Sequence, residues 1–342
     1  MFRIQRENLP GLYAAIAAES DLFLPVKAAG KTNYALWSPE CQPDLDTLKT
    51  VKSPKDVFFP QSENLYTCQK DAGKLSVTPE KHRDTPFVVL GMKACDVRAV
   101  AVLDKVFLSA PVDTYYAARR EMGTIVSLAC GKPEASCFCG TFGIDCAAPE
   151  GDVATWLTED FLYWNPQSEK GNALTSKLDS LLEPCGEEAV AREKDGIHAI
   201  CQRLPLKELS LSNWGAEAAR KNFDSPIWEE LYHPCLACGT CTFVCPTCQC
   251  YDIKDFDTGS GVQRYRCWDS CMYSDFTMMA AGNNRTSQMQ RFRQRFMHKL
   301  AYFPANYDGM FSCVGCGRCV ARCPISMNIV KVMKTLGGEK DE

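Results

Sequence analysis

The chain has 342 residues, 46% of them apolar and 23% charged, with a formal net charge of -4 and 21 cysteines. That is enough apolar material for two domains with cores of their own, so cysteines are not needed as staples. The small negative charge argues against a general nucleic-acid binder. No apolar run approaches the roughly 20 residues that a membrane helix needs, and the start M-F-R-I-Q-R-E-N carries no signal peptide, so a cytoplasmic location is expected. In a reducing compartment, thiols at this density point to metal chemistry rather than disulfides.

In chain order, the first clear unit is T-P-F-V-V-L-G-M-K-A-C-D-V-R-A-V-A-V-L-D-K-V-F-L. The spacing predicts a buried strand from Phe87 to Gly91, Asp96 as a helix N-cap and a helix from Val97 to Leu108. A helical Y-Y-A-A-R-R-E-M and a second strand, G-T-I-V-S-L-A-C ending in Cys130, complete a βαβ pattern. Parallel strands share one carboxyl edge, where ligands usually bind. Cys95 and Cys130 fall there, and S-C-F-C-G-T-F-G-I-D-C adds Cys137, Cys139 and Cys146 just beyond. Cys95, Cys130, Cys137 and Cys139 are candidate ligands of a cluster, with Cys146 in reserve; packing of core thiols is the alternative. Cys41, Cys68, Cys185 and Cys201 read as isolated and structural. No dinucleotide fingerprint, Walker loop or serine elbow is present.

A change of texture near N-F-D-S-P-I-W-E-E-L places a domain boundary at 228. Beyond it, Cys235, Cys238, Cys241, Cys245 and Pro246 have the spacing C-x2-C-x2-C-x3-C-P, and Cys313, Cys316, Cys319, Cys323 and Pro324 repeat it. This is the bacterial ferredoxin run, in which the fourth cysteine ligates the other cluster. The spacing therefore assigns Cys235, Cys238, Cys241 and Cys323 to one [4Fe-4S] cluster, and Cys313, Cys316, Cys319 and Cys245 to a second. Zinc also takes four thiolates, but its ribbons use two separated C-x2-C pairs.

Residues 246–312 separate the runs, and a helical insertion is expected at about 252–308. In T-S-Q-M-Q-R-F-R-Q-R-F-M-H-K-L-A-Y-F, Ser287 and Gln290 stand in capping-box relation, and Met289, Phe292, Phe296, Leu300 and Phe303 share one face. The helix is basic, through Arg285, Arg291, Arg293, Arg295 and Lys299. Three readings are open for it: a solvated face, a docking surface, or compensation for anionic clusters. Cys248, Cys250 and Cys271 belong to neither run; they are read as buried thiols. The alternative is a further metal site that includes His298 and that Cys267 could join. The fold class expected is α+β: an N-terminal α/β domain, 1–228, then a bacterial 2[4Fe-4S] ferredoxin-like domain, 229–342.

The stretches F-F-P-Q-S-E-N-L-Y, A-C-D-V-R-A, S-C-F-C, C-P-T-C-Q-C-Y, W-D-S-C, M-H-K and C-V-G-C-G-R-C, in this order, resemble the dicluster iron-sulfur subunits of cytosolic anaerobic oxidoreductases. That family includes the beta subunit of soluble sulfhydrogenases and the corresponding iron-sulfur subunits of anaerobic sulfite reductase and of flavin oxidoreductases linked to heterodisulfide reductase. The resemblance runs from about Leu22 to Ile329, is most specific in the last third and is patchy over 147–228. It implies a non-catalytic subunit that carries electrons between an FAD- and NAD(P)-binding flavoprotein subunit and a catalytic subunit of hydrogenase, sulfite reductase or heterodisulfide reductase type. FAD is expected in the partner, not here; no nucleic-acid partner and no direct membrane insertion are expected. The competing readings are a redox-sensing or regulatory iron-sulfur protein and a free electron carrier.

Overall fold

A computed structural model describes residues 1–71 and 73–337. Strands β1 (Phe2–Gln5), β2 (Asp21–Ala28), β3 (Lys31–Leu36), β4 (Ser62–Asp71), β5 (Lys74–Pro79), β6 (Phe87–Met92), β7 (Gly123–Leu128), β8 (Val153–Leu157), β9 (Phe161–Pro166), β10 (Glu183–Pro184), β11 (Tyr251–Asp257) and β12 (Gly261–Trp268) form two large sheets. The first has the order β10-β1-β9-β8-β7-β6-β2-β3, with β8, β7, β6 and β2 parallel and the outer strands antiparallel. All six residues of β6 are buried, the continuous apolar run of a strand covered on both faces. Alternation divides it: Val88 and Leu90 pack with Leu12, Leu22 and Trp164 on one side, while Phe87 and Val89 pack with Val100, Leu103 and Phe107 on the other.

The βαβ unit is present, with β6 and β7 parallel neighbours and helix Ala94–Phe107 between them in the chain. Asp96 is not its cap. Lys93 holds that position without a side-chain bond, because Asp96 is taken by Arg318 from the second cysteine run, through bonds of 2.6 and 2.8 Å with both side chains buried. A bidentate guanidinium–carboxylate pair outcompetes a cap that neighbouring backbone can replace.

The insertion departs from the helical expectation. Residues 251–268 are a hairpin in which β12 pairs with β11 and with β4, giving a second sheet of order β11-β12-β4-β5. The physical reason lies in the residues: Y-D-I-K-D-F-D and G-V-Q-R-Y-R-C-W alternate, and the T-G-S between them is turn chemistry. Arg266 on β12 bonds Glu63 on β4 at 2.7 Å, and Trp268 donates to the Phe59 carbonyl at 3.1 Å. The segment after the first cysteine run thus adds two strands to an N-terminal pair. Apart from a 3-10 turn at Asp275–Thr277, helix begins at Gln288, where the Ser287–Gln290 capping box forms reciprocally. Phe292, Phe296, Leu300 and Phe303 are buried there, joined by a wide π-turn at His298–Tyr302. The core around Phe292, Phe296 and Leu300 also takes in Leu209, Trp214 and Trp228, so packing runs across the boundary expected at 228. The change of texture there marks where the cysteine-rich segment begins, not where contacts stop.

Candidate iron-sulfur centres

Each cysteine run winds through a left-handed glycine into a short helical turn: Gly239 (φ 73°) into Thr240–Phe243 and Gly317 (φ 74°) into Arg318–Arg322. The third cysteine lies within each turn and the fourth just beyond it. One cavity is lined by Cys235, Cys238, Cys241 and, from the other run, Cys323. A second is lined by Cys313, Cys316, Cys319 and, from the first run, Cys245. Among the described residues no three Cys, His, Asp or Glu side chains meet closely enough for a single metal ion. Zinc needs its sulfurs at about 2.3 Å from one centre; an iron-sulfide cluster needs thiols around a space.

The polar groups at these cavities suit such a guest. Arg295, 2% exposed, lines the second cavity, and its Nε and Nη1 have no partner among the described residues. Burial opposes its charge, but the thiols of Cys241, Cys319, Cys248 and Cys245 outweigh it and hold its pKa above the ordinary value. Orphan donors at this depth are rare unless a further acceptor belongs there. Lys299, also buried, donates to Thr247 Oγ1 at 2.8 Å and faces Cys245, Cys248 and Cys313. Cys245 is drawn well below the ordinary thiol range by its hydrogen bond with Cys248, despite burial, and by the Lys299 charge. Cys238, exposed, is lowered by the Thr240 hydroxyl and backbone. Cys316 is pushed up to about 12 by burial. Two basic side chains of this helix, Arg295 and Lys299, thus lie buried among thiols. Even its other arginines are engaged with the chain: Arg291 bonds the Met272 and Arg285 carbonyls, and Arg293 bonds the Phe223 carbonyl and lies 3.6 Å over its ring.

A third cavity, of about 530 Å³, opens at the carboxyl edge of the first sheet. It gathers Cys95, Cys130, Cys137 and Cys139, and also Cys146 and Cys201. Lys93, 7% exposed, lines it too; burial lowers its pKa, with Cys130 and Cys95 the strongest of the groups working against that. Burial pushes Cys130 up to about 12. Phe138, Gly315 and Cys316 line both this cavity and the second. The contact is tight: Phe138 N–H donates to the Gly315 carbonyl at 2.9 Å, and a Cβ on Gly315 or Gly317 would lie 2.4 Å from the Phe138 oxygen or 2.2 Å from the Ser136 oxygen.

Cys201, expected to be isolated, sits instead against Cys146 with its sulfur 3.0 Å away. No local motif could place it; it arrives on helix Ala191–Cys201. Cys250 hydrogen-bonds Cys271 and is thereby lowered to about 7. His298 does not join these thiols. It packs edge-on against Phe303, and burial with the Lys299 and Arg285 charges lowers it to about 4. Cys267 lies on β12 with Lys254, Asp252 and Asp269 around it. Arg295 and Lys299 could have been found: they follow Phe292 by three and seven residues, inside the apolar stripe.

Paired cavities of this kind, with a cysteine exchanged between two ferredoxin runs, define an iron-sulfur electron-transfer protein of the dicluster type. The 4Fe-4S dicluster domain family matches residues 234–327. Over 334 residues the chain is 30% identical to the protein named sulfhydrogenase 2 subunit beta of Pyrococcus furiosus, covering 97% of this chain and 96% of that one. The chain belongs to the dicluster iron-sulfur family of that protein, a family of oxidoreductase subunits. No solved structure matches it. Among the described residues no helix is long and apolar enough to cross a membrane.

Proposed function

We propose that this chain relays single electrons between an FAD- and NAD(P)-binding flavoprotein subunit and a catalytic subunit of hydrogenase type. Cys235, Cys238, Cys241 and Cys323 hold one [4Fe-4S] cluster, and Cys313, Cys316, Cys319 and Cys245 hold a second. Cys95, Cys130, Cys137 and Cys139 hold a third. The observation that carries this reading is the crossed lining of the first two cavities, each taking its fourth thiol from the other run. When bound, the clusters supply one-electron redox chemistry. The chain's own residues do the rest. Arg295 and Lys299, both buried, offset the negative charge of thiolates and clusters. Gly315 and Gly317 let the loop 136–139 close on the second run, so that the N-terminal cavity and the second one share a wall. Cys238 and Leu236, both exposed, put the first cavity near the surface, where a partner's redox group can approach.

The test uses the isolated, cluster-replete chain under anaerobic conditions. A low-potential donor reduces it, iron and acid-labile sulfide match three clusters, and NADH with a one-electron dye gives no turnover until the co-purifying flavoprotein is added. Dye reduction by the isolated chain at the rate of the complex would show nicotinamide chemistry of its own and end the relay reading.

A further inference from the structure

The N-terminal cavity holds more thiols than one cluster uses. Cys146 and Cys201, with sulfurs 3.0 Å apart, are about an ångström beyond the ~2.05 Å of a disulfide bond. A second pair stands beside them. His198 Nε2 and Asp145 Oδ1 are 2.9 Å apart; Asp145 precedes Cys146, and His198 lies one turn before Cys201 on helix Ala191–Cys201. All four side chains line the same cavity. Cys146 is buried and Cys201 half-buried. Cys139, a candidate ligand of the third cluster, lines the same cavity. A close dithiol, an oriented imidazole and an adjoining one-electron centre are the parts of a two-electron thiol couple.

We propose that Cys146 and Cys201 are a redox-active dithiol/disulfide couple that exchanges electrons with the chain's iron-sulfur centres, with His198, oriented by Asp145, as its proton carrier. The proposal rests on the relay reading above. On oxidation the two S–H bonds break, the Sγ–Sγ bond forms, two protons leave by way of His198 and the cavity, and two electrons pass singly to oxidised iron-sulfur centres of this chain. Reduction reverses each change. The couple gives a one-electron relay a station where a pair of electrons is held.

The full-length, cluster-replete chain is poised anaerobically at a series of potentials, quenched in acid with an alkylating agent and mapped by mass spectrometry, with iron measured on the same samples. The expected result is a Cys146–Cys201 linked peptide at high potential that falls at least about tenfold at low potential. Reductive titration takes up two electrons more in the wild type than in Cys201→Ser, with equal iron. His198→Asn slows linkage at a fixed potential at least about tenfold. Two results overturn the proposal. The first is full alkylation of both cysteines at every potential with iron intact. The second is loss of iron in Cys201→Ser, which would make Cys201 a cluster ligand. An unchanged rate in His198→Asn would overturn its proton role. Normal iron content and normal cluster reduction by the low-potential donor, but no linked peptide, separate failure of the couple from failure of the relay.

Discussion

Leu236 and Val314 occupy the same place in the two cysteine runs, one residue after the first thiol, yet Leu236 is 64% exposed and Val314 is 2% exposed. The next residues repeat the contrast. Ala237 and Gly315 both adopt left-handed backbone, at φ 52° and 59°. In the first run an alanine tolerates the conformation at a cost of about 1 kcal/mol. In the second run only glycine fits, since the Phe138 backbone lies where a Cβ would be. Thr240 of the first run is matched in the second by Arg318, which reaches across to Asp96 at the start of helix Ala94–Phe107. Two copies of one ligand spacing have been put to different uses: one faces outward, the other is locked beneath the N-terminal sheet edge and its thiol-lined cavity.

The largest expected effect tests whether the two runs share ligands at all. Cys245→Ser lies in the first run, but it should abolish the EPR signal of the cluster in the second and leave the first cluster largely intact. Damage confined to the first cluster would show that each run serves itself.

The lock on the second run is next. Asp96→Ala leaves the buried Arg318 guanidinium uncompensated, and should cost about 3–5 kcal/mol. Anaerobic denaturation should show it, with the second cluster lost before the first; equal loss of both would mean that the pair does not anchor the second run in particular.

Charge compensation distinguishes the cavities in another way. Arg295 faces thiols of both sets, whereas Lys299 faces Cys245, Cys248 and Cys313. Replacing a charged hydrogen-bond donor worth about 1.5–3 kcal/mol should lower a one-electron midpoint potential by about 65–130 mV. Arg295→Gln should move both clusters in a redox titration, and Lys299→Gln only the second.

Backbone strain gives a smaller pair of effects. Gly315→Ala should destabilise by about 1–3 kcal/mol, while Ala237→Gly should be neutral or stabilising by up to about 1 kcal/mol, read as opposite shifts in anaerobic thermal midpoint.

The smallest effect concerns the helix between the runs. His298 is neutral in the folded state, lowered to about 4 by burial and by the Lys299 and Arg285 charges. A folded pKa below the unfolded value of about 6.5 means that its contribution is present above that pH and is lost as pH falls towards 4. His298→Gln should therefore flatten the acid side of the stability profile by about 1 kcal/mol after allowance for its partial exposure. An unchanged slope between pH 6.5 and 4 would remove His298 as its source.

The α+β class, the βαβ unit, the capping box at Ser287 and the apolar face from Phe292 to Phe303 are legible in the sequence because each is local: a period, a cap or a run bounded by turns. The hairpin at 251–268 is legible by the same rule, yet its alternation is easily masked by the stronger helical signal that follows it. The pairing of Cys146 with Cys201 is not legible, because the two belong to elements joined only when helix Ala191–Cys201 docks at the sheet edge.

By itself the sequence determined the chemistry on offer: two ferredoxin runs whose spacing assigns the ligand types, and a dicluster family that those runs announce. Thiolate number and spacing are covalent facts, and they survive any arrangement of the rest. Only the tertiary structure decided which run is exposed and which is covered, that Asp96 serves Arg318 instead of its own helix, and that Arg295 and Lys299 point inward. Each of these depends on residues far apart in the chain, such as Asp96 and Arg318, being brought together. A buried charge then has no water to fall back on and must take the partner that folding supplies.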